Sequence, residues 1–162
     1  MKRKQDVYNI TFGGVGGQGI IKASELLGWA ALYDGYHVKK SEVHGMSQRG
    51  GSVESHVRFG SVIYSPMIGL AQADFLLCFH PDEHPRLKVF LKKGGFDLMP
   101  YLAKIQESVE NTRAVNTGMV GFLSKYLPIR PDSWERALQT VFKPAVLESN
   151  RKVFAQARAL SE

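Results

Sequence analysis

Residues Val7-Tyr-Asn-Ile-Thr-Phe-Gly-Gly-Val-Gly-Gly-Gln-Gly19 decide the fold. Val7 to Phe12 is β-branched and aromatic, the composition of a strand, and it runs without a break into a glycine cluster. Beyond the cluster Ile20, Ala23, Leu27, Ala30 and Ala31 recur at helical spacing, and Gly35 supplies a C-terminal stop. Tyr36 to Lys40 then reads as a second strand, so strand, tight turn, helix and strand succeed one another. Within Gly14-Val-Gly16-Gly17-Gln18-Gly19 the spacing is that of a phosphate-binding turn. Gly14 permits the tight turn, Gly16 lets a ligand approach the backbone, and Gly19 lets helix and strand pack closely. The helix start behind the loop offers unpaired N–H groups to an anion.

Working outward, Ser41-Glu-Val-His44-Gly-Met-Ser47-Gln48-Arg49-Gly50-Gly51 has no period and reads as a loop. From Val53 the chain alternates, with Val53, Ser55, Val57 and Phe59 on one face and Glu54, His56 and Arg58 on the other. Gly60-Ser61 suits a two-residue hairpin turn, with Val62-Ile-Tyr64 as the returning strand. Phe75 to Phe79 is short and continuously apolar, as a strand buried on both faces should be. Asn116-Thr-Gly118 opens a helix carrying Phe122, Leu123, Tyr126 and Leu127, and Asp132 with Glu135 resembles a capping arrangement. Pro144 suits the first turn of a last helix whose apolar stripe is Val146, Val153, Phe154, Ala157 and Leu160. These elements predict an α/β protein: a Rossmann-like three-layer sandwich with a mainly parallel sheet and an antiparallel hairpin, one domain over residues 1–162.

Composition narrows the chemistry. The chain has 162 residues, 44% of them hydrophobic, enough for a core without disulfide or metal. Cys78 is its single cysteine and sits in an apolar run, so this chain alone makes no disulfide, iron–sulfur cluster or thiolate zinc site. His80 and His84 flank a Pro-rich strand-to-helix corner and read as surface caps; no metal site and no Ser-His-Asp set is predicted. The basic excess, 21 Lys and Arg against 15 Asp and Glu, is spread along the chain without a block or a binding module, so no nucleic-acid partner is expected. Met1-Lys-Arg-Lys is followed by no apolar core of a signal peptide, and no apolar run reaches membrane-spanning length, so the expectation is a cytoplasmic protein with no membrane partner.

The glycine loop leaves the ligand open. A dinucleotide site wants an acid near the end of the second strand, where Lys39-Lys40-Ser41 stands, with Glu42 beyond it and Asp34 before the strand. NAD is poorly supported on these residues. An NADP- or other nucleotide-binding enzyme using Lys39 or Lys40 is one alternative, and a purely structural assembly subunit is another.

The run from Ser41 to Gly60, together with Gly14 to Gly19, closely resembles the gamma subunit or domain of 2-oxoacid:ferredoxin oxidoreductases, with its nearest likeness in the indolepyruvate branch. Tyr64-Ser-Pro66, Ala73-Asp74, Asn116-Thr-Gly118 and the helix around Pro144 and Asn150 share that likeness, which spans nearly the whole chain. Family members carry a further strand and helix between Lys93-Gly-Gly95 and Asn116, ground that Phe96 to Arg113 must cover here. The resemblance implies a non-catalytic subunit, inactive alone, of a thiamine diphosphate-dependent complex. It implies that a partner subunit carries the thiamine diphosphate, Mg and 4Fe-4S clusters, that ferredoxin is met through a hetero-oligomer, and that coenzyme A is the co-substrate. The residues it assigns to coenzyme A or to the subunit interface are Gly14, Gly16, Gly17, Gln18, Gly19, His44, Ser47, Gln48, Arg49, Gly50, Gly51 and Arg58. Arg49 and Arg58 are charged donors that suit phosphate; for Arg58 an ion pair with Glu54 is the competing expectation.

Overall fold

The computed structural model describes residues 6–46 and 50–162. In chain order its strands are β1 (Val7–Val15), β2 (His37–His44), β3 (Ser52–Gly60), β4 (Ala73–Cys78) and β5 (Leu91–Asp97). The α-helices are α1 (Ile20–Tyr33), α2 (His84–Lys88), α3 (Leu102–Ser108), α4 (Val115–Leu123), α5 (Pro131–Val141) and α6 (Pro144–Arg158). The strands form one sheet in the order β2-β3-β1-β4-β5. β1 is parallel to β4 and β4 to β5, while β3 is antiparallel to both β1 and β2. β1, β2, β4 and β5 therefore share one direction and β3 alone is reversed: a mainly parallel sheet holding one antiparallel hairpin.

That hairpin is β2–β3, not the one expected at Gly60-Ser61. Residues 41–44, expected in a loop, continue β2, and residues 62–64 form no strand. The physical reason is that β3 already has neighbours on both sides, β1 and β2, so no edge remains for a returning strand. Gly60 serves close packing instead: a Cβ there would stand 2.1 Å from the carbonyl oxygen of Asp6.

One face of the sheet is apolar. Ile10, Phe12, Val57, Phe59 and Leu77 are buried there against Ile20, Ala23, Leu26 and Leu27 of α1 and against side chains of α3 to α6. Tyr8 stacks on Phe59 with ring centroids 4.9 Å apart, and Tyr36 meets the same ring edge-on. Trp134 of α5 and Phe154 of α6 close the helical layer. At the α1–α5 junction Asp34 replaces the cap expected from Asp132. Its Oδ1 accepts from Arg130 N and Nε and from the Ser133 hydroxyl, while the cap residue Arg130 contributes no side-chain bond to the helix. Burial pushes the Asp34 carboxyl up, but these donors outweigh it and hold it below the usual range. Distance along the chain explains why sequence reading missed this cap: it comes from the end of another helix.

The second face carries the other set of alternating residues and is covered by a thinner layer. Leu87 of α2 packs with Leu76 and Cys78, directly beneath Gly13. The extended segment 61–72 crosses the rest, tied down by Arg58 Nη1 to Ser65 O (2.7 Å), Ser41 Oγ to Pro66 O (3.3 Å) and Asn9 Nδ2 to Gln72 O (3.3 Å). Under this cover lie polar groups. His56 Nε2 is 2.6 Å from Glu54 Oε1, its Nδ1 is 2.9 Å from Thr11 Oγ1, and the Phe90 ring meets it edge-on. Cys78 is buried; burial pushes its thiol up, and Sγ donates to His80 O.

Candidate functional site

The glycine loop lies at the carboxyl end of β1, where a parallel sheet places its ligands. Three of its glycines have separate causes. A Cβ on Gly14 would fall 2.5 Å from Gln18 Oε1, and one on Gly19 would fall 2.4 Å from Asn116 Nδ2. Gly17 has open space around it but a φ of +90°, which other residues avoid. Gly16 differs from all three: its φ is unexceptional, and a Cβ would meet only ordinary contacts at 3.7 Å with Gly50 and Gly51. Among the described residues nothing inside the fold demands glycine there.

Gln18 fixes the loop. Its side-chain oxygen accepts from Val15 N at 2.9 Å and its amide donates to Phe79 O at 2.8 Å, joining the ends of β1 and β4. Asn116, at the start of α4, donates to Gly19 O at 3.2 Å, so the N-termini of α1 and α4 converge on the same glycines. Across the loop Gly16 N donates to Gly51 O at 2.9 Å, and Gly45 N to Ser52 O at 2.7 Å, closing the described base of the hairpin onto the glycine turn.

Two clefts flank Gly17. One, of about 520 Å³, is lined by Val15, Gly16, Gly17, Ile21, Lys22 and Val53. The other, of about 170 Å³, is lined by Gln18, Phe79, Gln106, Arg113 and Asn116. Backbone N–H groups in the first turn of α1 have no partner within the helix, so the loop presents donors and a positive dipole end. Lys22 and Arg113 add positive charges at the cleft walls, and Glu25 places a carboxylate in the wall of the larger one.

The structure brings together Gly14, Gly16, Gly17, Gln18, Gly19, Gly50 and Gly51. His44 stands at the end of β2, exposed, with Nε2 3.5 Å from Glu42 Oε2. Arg58 lies elsewhere. It pairs across the sheet with Asn9 while Ser52 pairs with Val15, so six residues of strand, about 20 Å, separate it from the loop. Its Nε donates to Asn9 Oδ1 at 2.8 Å, and the ion pair expected with Glu54 is not made; Glu54 is taken by His56 and Arg86. Ser47, Gln48 and Arg49 lie outside the described residues. Asp34, weighed as a ribose acid, is committed to α5, and Lys40 pairs with Glu42. Sequence reading did not single out Lys22, Gln106, Arg113 or Asn116 as site residues; the one available signal was the Asn116-Thr-Gly118 helix start. Among the described residues no group of three or more His, Cys, Asp and Glu could hold a metal ion, and no helix is long and apolar enough to cross a membrane.

A glycine turn at the carboxyl end of the first strand, backed by a helix N-terminus, defines a Rossmann-like α/β domain. The model of the pyruvate ferredoxin/flavodoxin oxidoreductase family matches residues 9–100 and 98–160, and the chain belongs to that family. Over 88 residues it is 57% identical to the indolepyruvate oxidoreductase subunit IorB of Thermococcus kodakarensis, an alignment covering 54% of this chain and 44% of that protein. The match thus spans less than half the length of that relative. In structure the chain is similar to the gamma subunit of a keto/oxoacid ferredoxin oxidoreductase from Geobacter sulfurreducens (TM-score 0.77, 24% identity, 95% of both chains). It is also similar to part of the 2-oxoglutarate:ferredoxin oxidoreductase of Magnetococcus marinus, solved with 2-oxoglutarate, coenzyme A and succinyl-CoA bound (TM-score 0.81, 21% identity, 98% of this chain and 32% of that one). The two pieces of the family match meet at residues 98–100, between β5 and α3, where family members were expected to carry a further strand and helix.

Proposed function

We propose that this chain is the small, gamma-type subunit of a thiamine diphosphate-dependent 2-oxoacid:ferredoxin oxidoreductase, and that its glycine-loop cleft helps to hold coenzyme A. The overall reaction is oxidative decarboxylation, in which a 2-oxoacid, coenzyme A and oxidised ferredoxin yield an acyl-CoA, carbon dioxide and reduced ferredoxin. Aryl pyruvates are the proposed substrates, by likeness to the indolepyruvate subunits.

The observation that carries the reading is Gly16. Among the described residues it is the loop glycine that neither packing nor a positive φ requires, and it faces the larger cleft. A ligand approaching the backbone supplies the missing reason. Coenzyme A offers a diphosphate and a 3′-phosphate, and both the N-terminus of α1 and Lys22 suit such anions. The coenzyme A bound in the Magnetococcus complex supports the choice of ligand. The resemblance assigns polar and basic contacts to Ser47, Gln48 and Arg49, which follow the described end of β2.

The redox chemistry belongs to a partner subunit in this reading. A 4Fe-4S cluster needs four thiolates, and the chain has Cys78 alone, buried at the end of β4. Thiamine diphosphate, Mg and the clusters are assigned to that partner, with ferredoxin docking on the assembled, cytoplasmic hetero-oligomer.

The test is co-expression with the thiamine- and cluster-binding subunit, followed by coenzyme A titration and turnover on aryl pyruvates under anaerobic conditions. Arg49→Ala is expected to weaken coenzyme A about 10- to 150-fold, the loss of one charge-assisted contact, with the KM for the oxoacid unchanged. Turnover independent of coenzyme A, or oxoacid oxidation by the isolated chain, would sink the reading.

A further inference from the structure

The second face of the sheet holds a hydrogen-bond chain that the proposed function does not use. It begins at Thr11 on β1, whose hydroxyl meets His56 Nδ1 at 2.9 Å. His56 Nε2 lies 2.6 Å from Glu54 Oε1, and because a carboxylate only accepts, the imidazole is the donor. The other Glu54 oxygen accepts from Arg86 Nη1 of α2 at 2.5 Å. Arg86 then donates from Nε (2.9 Å) and Nη2 (2.6 Å) to Glu83 Oε2, and Glu83 Oε1 accepts from Ser52 Oγ at 3.0 Å. In register this path runs from the level of Thr11 to that of Val15, the last residue of β1. It ends on the first residue of β3, one position after Gly51, whose carbonyl takes the Gly16 N–H.

We propose that this chain of contacts holds the start of β3 against the glycine loop, and that Arg86 is thereby a positioning residue for the ligand of the larger cleft. The inference rests on the reading of that cleft as a coenzyme A site. Arg86 is the joint of the chain because it is the member that bridges two carboxylates. Glu54 is buried with its ionised form favoured, chiefly by the His56 bond, against the opposing effect of burial, and Arg86 adds to it. Without a cation between them Glu54 and Glu83 would face each other as like charges, and Ser52 would lose its anchor. The planar guanidinium reaches both acids at once, which a single ammonium cannot. The cleft wall responds because Val53, which lines it, follows Ser52 on the same strand.

The experiment uses the complex of this chain with its cluster-binding partner and two variants. Arg86→Met cuts the chain at its half-exposed joint, and Ser52→Ala cuts the last link without leaving a buried charge unpaired. Amide exchange at Gly16 and Gly45 reads the hairpin base directly, and steady-state kinetics read the cleft. Both variants are expected to speed exchange at these amides by about tenfold or more, while amides in the middle of β1 stay protected. Both should raise the KM for coenzyme A about 5- to 30-fold, with kcat and the KM for the oxoacid unchanged, and Arg86→Lys should recover part of the loss. A merely structural role would instead lower the apparent kcat in proportion to the folded protein lost and leave both KM values unchanged. Unchanged exchange at Gly16 and Gly45 in both variants overturns the positioning role, as does faster exchange with an unaltered KM for coenzyme A. A wild-type complex that binds no coenzyme A overturns the cleft assignment and the ligand role of Arg86 together, and that failure is seen before any variant is made.

Discussion

The two faces of β3 differ in a way that its sequence conceals. Val53, Ser55, Val57 and Phe59 point into the helical layer, while Glu54, His56 and Arg58 point the other way, and alternation of this kind usually marks a strand with one wet face. Here the polar face is covered as well: Glu54 is 8% exposed and His56 4%. Both faces are interior, but they are held by different physics. The helical face excludes water from apolar area, is non-directional and tolerates small shifts. The polar face is a sequence of directional bonds, each member of which needs its partner, and it fails abruptly when one is removed. An α/β sheet can therefore carry a chain of polar contacts toward the carboxyl end of its first strand inside a second, thinner layer.

Truncation of the apolar face should have the largest effect. Phe59→Ala removes the ring on which Tyr8 stacks and which Tyr36 meets, and is expected to cost about 3–5 kcal/mol in denaturant unfolding. A loss below 1 kcal/mol would mean that the helical layer closes over the gap and that the contrast between the faces is overstated.

On the polar face Glu54→Gln keeps the shape and removes the charge, leaving Arg86 with Glu83 alone. The expected loss is about 1–3 kcal/mol, less than for Phe59→Ala, with unfolding still cooperative. A comparison of the two unfolding curves at one pH orders the faces.

The charge on Glu54 also sets the direction of a pH effect. Its folded-state carboxyl lies below the ordinary value of 4.5, so in the window between the two values the unfolded chain binds the extra proton. The contribution is full above that ordinary value and is lost as pH falls through the lowered one. The stability gap between wild type and Glu54→Gln should therefore be constant near neutrality and shrink in acid. A gap that widened on acidification would show that the Glu54 carboxylate is not stabilised by its neighbours.

The smallest effect is expected at the far end of the same face. Arg58→Ala deletes the bonds to Asn9 and to the Ser65 carbonyl, about 1 kcal/mol of stability, and leaves the KM for coenzyme A unchanged because the residue lies at the opposite end of the strand from the glycine loop. A raised KM would relocate the ligand or give Arg58 a contact across a subunit boundary.

Much of the architecture was legible before any coordinates. The strand, glycine turn and helix from Val7 to Tyr33 are local patterns with local causes, and so is the apolar run from Phe75 to Phe79, most of which lies in β4 (Ala73–Cys78). The family likeness was legible in residues 41–60 for the same reason, as a contiguous run. The site was legible in part. Its glycines and Gln18 announce themselves by spacing, whereas Lys22, Arg113 and Asn116 reach the clefts only because α1 and α4 start side by side.

The sequence by itself thus determined which way side chains point along residues 53–59 and where the glycine turn sits, since periodicity and glycine spacing act over a few residues. Tertiary structure alone decided what each face meets. It put β2 on the free side of β3 and so displaced the expected hairpin, and it sent Asp34 to cap α5 from 96 residues away. It also laid α2 and residues 61–72 over Glu54 and His56. Those outcomes depend on neighbours distant in the chain, and alternation along one strand holds no information about which neighbour arrives.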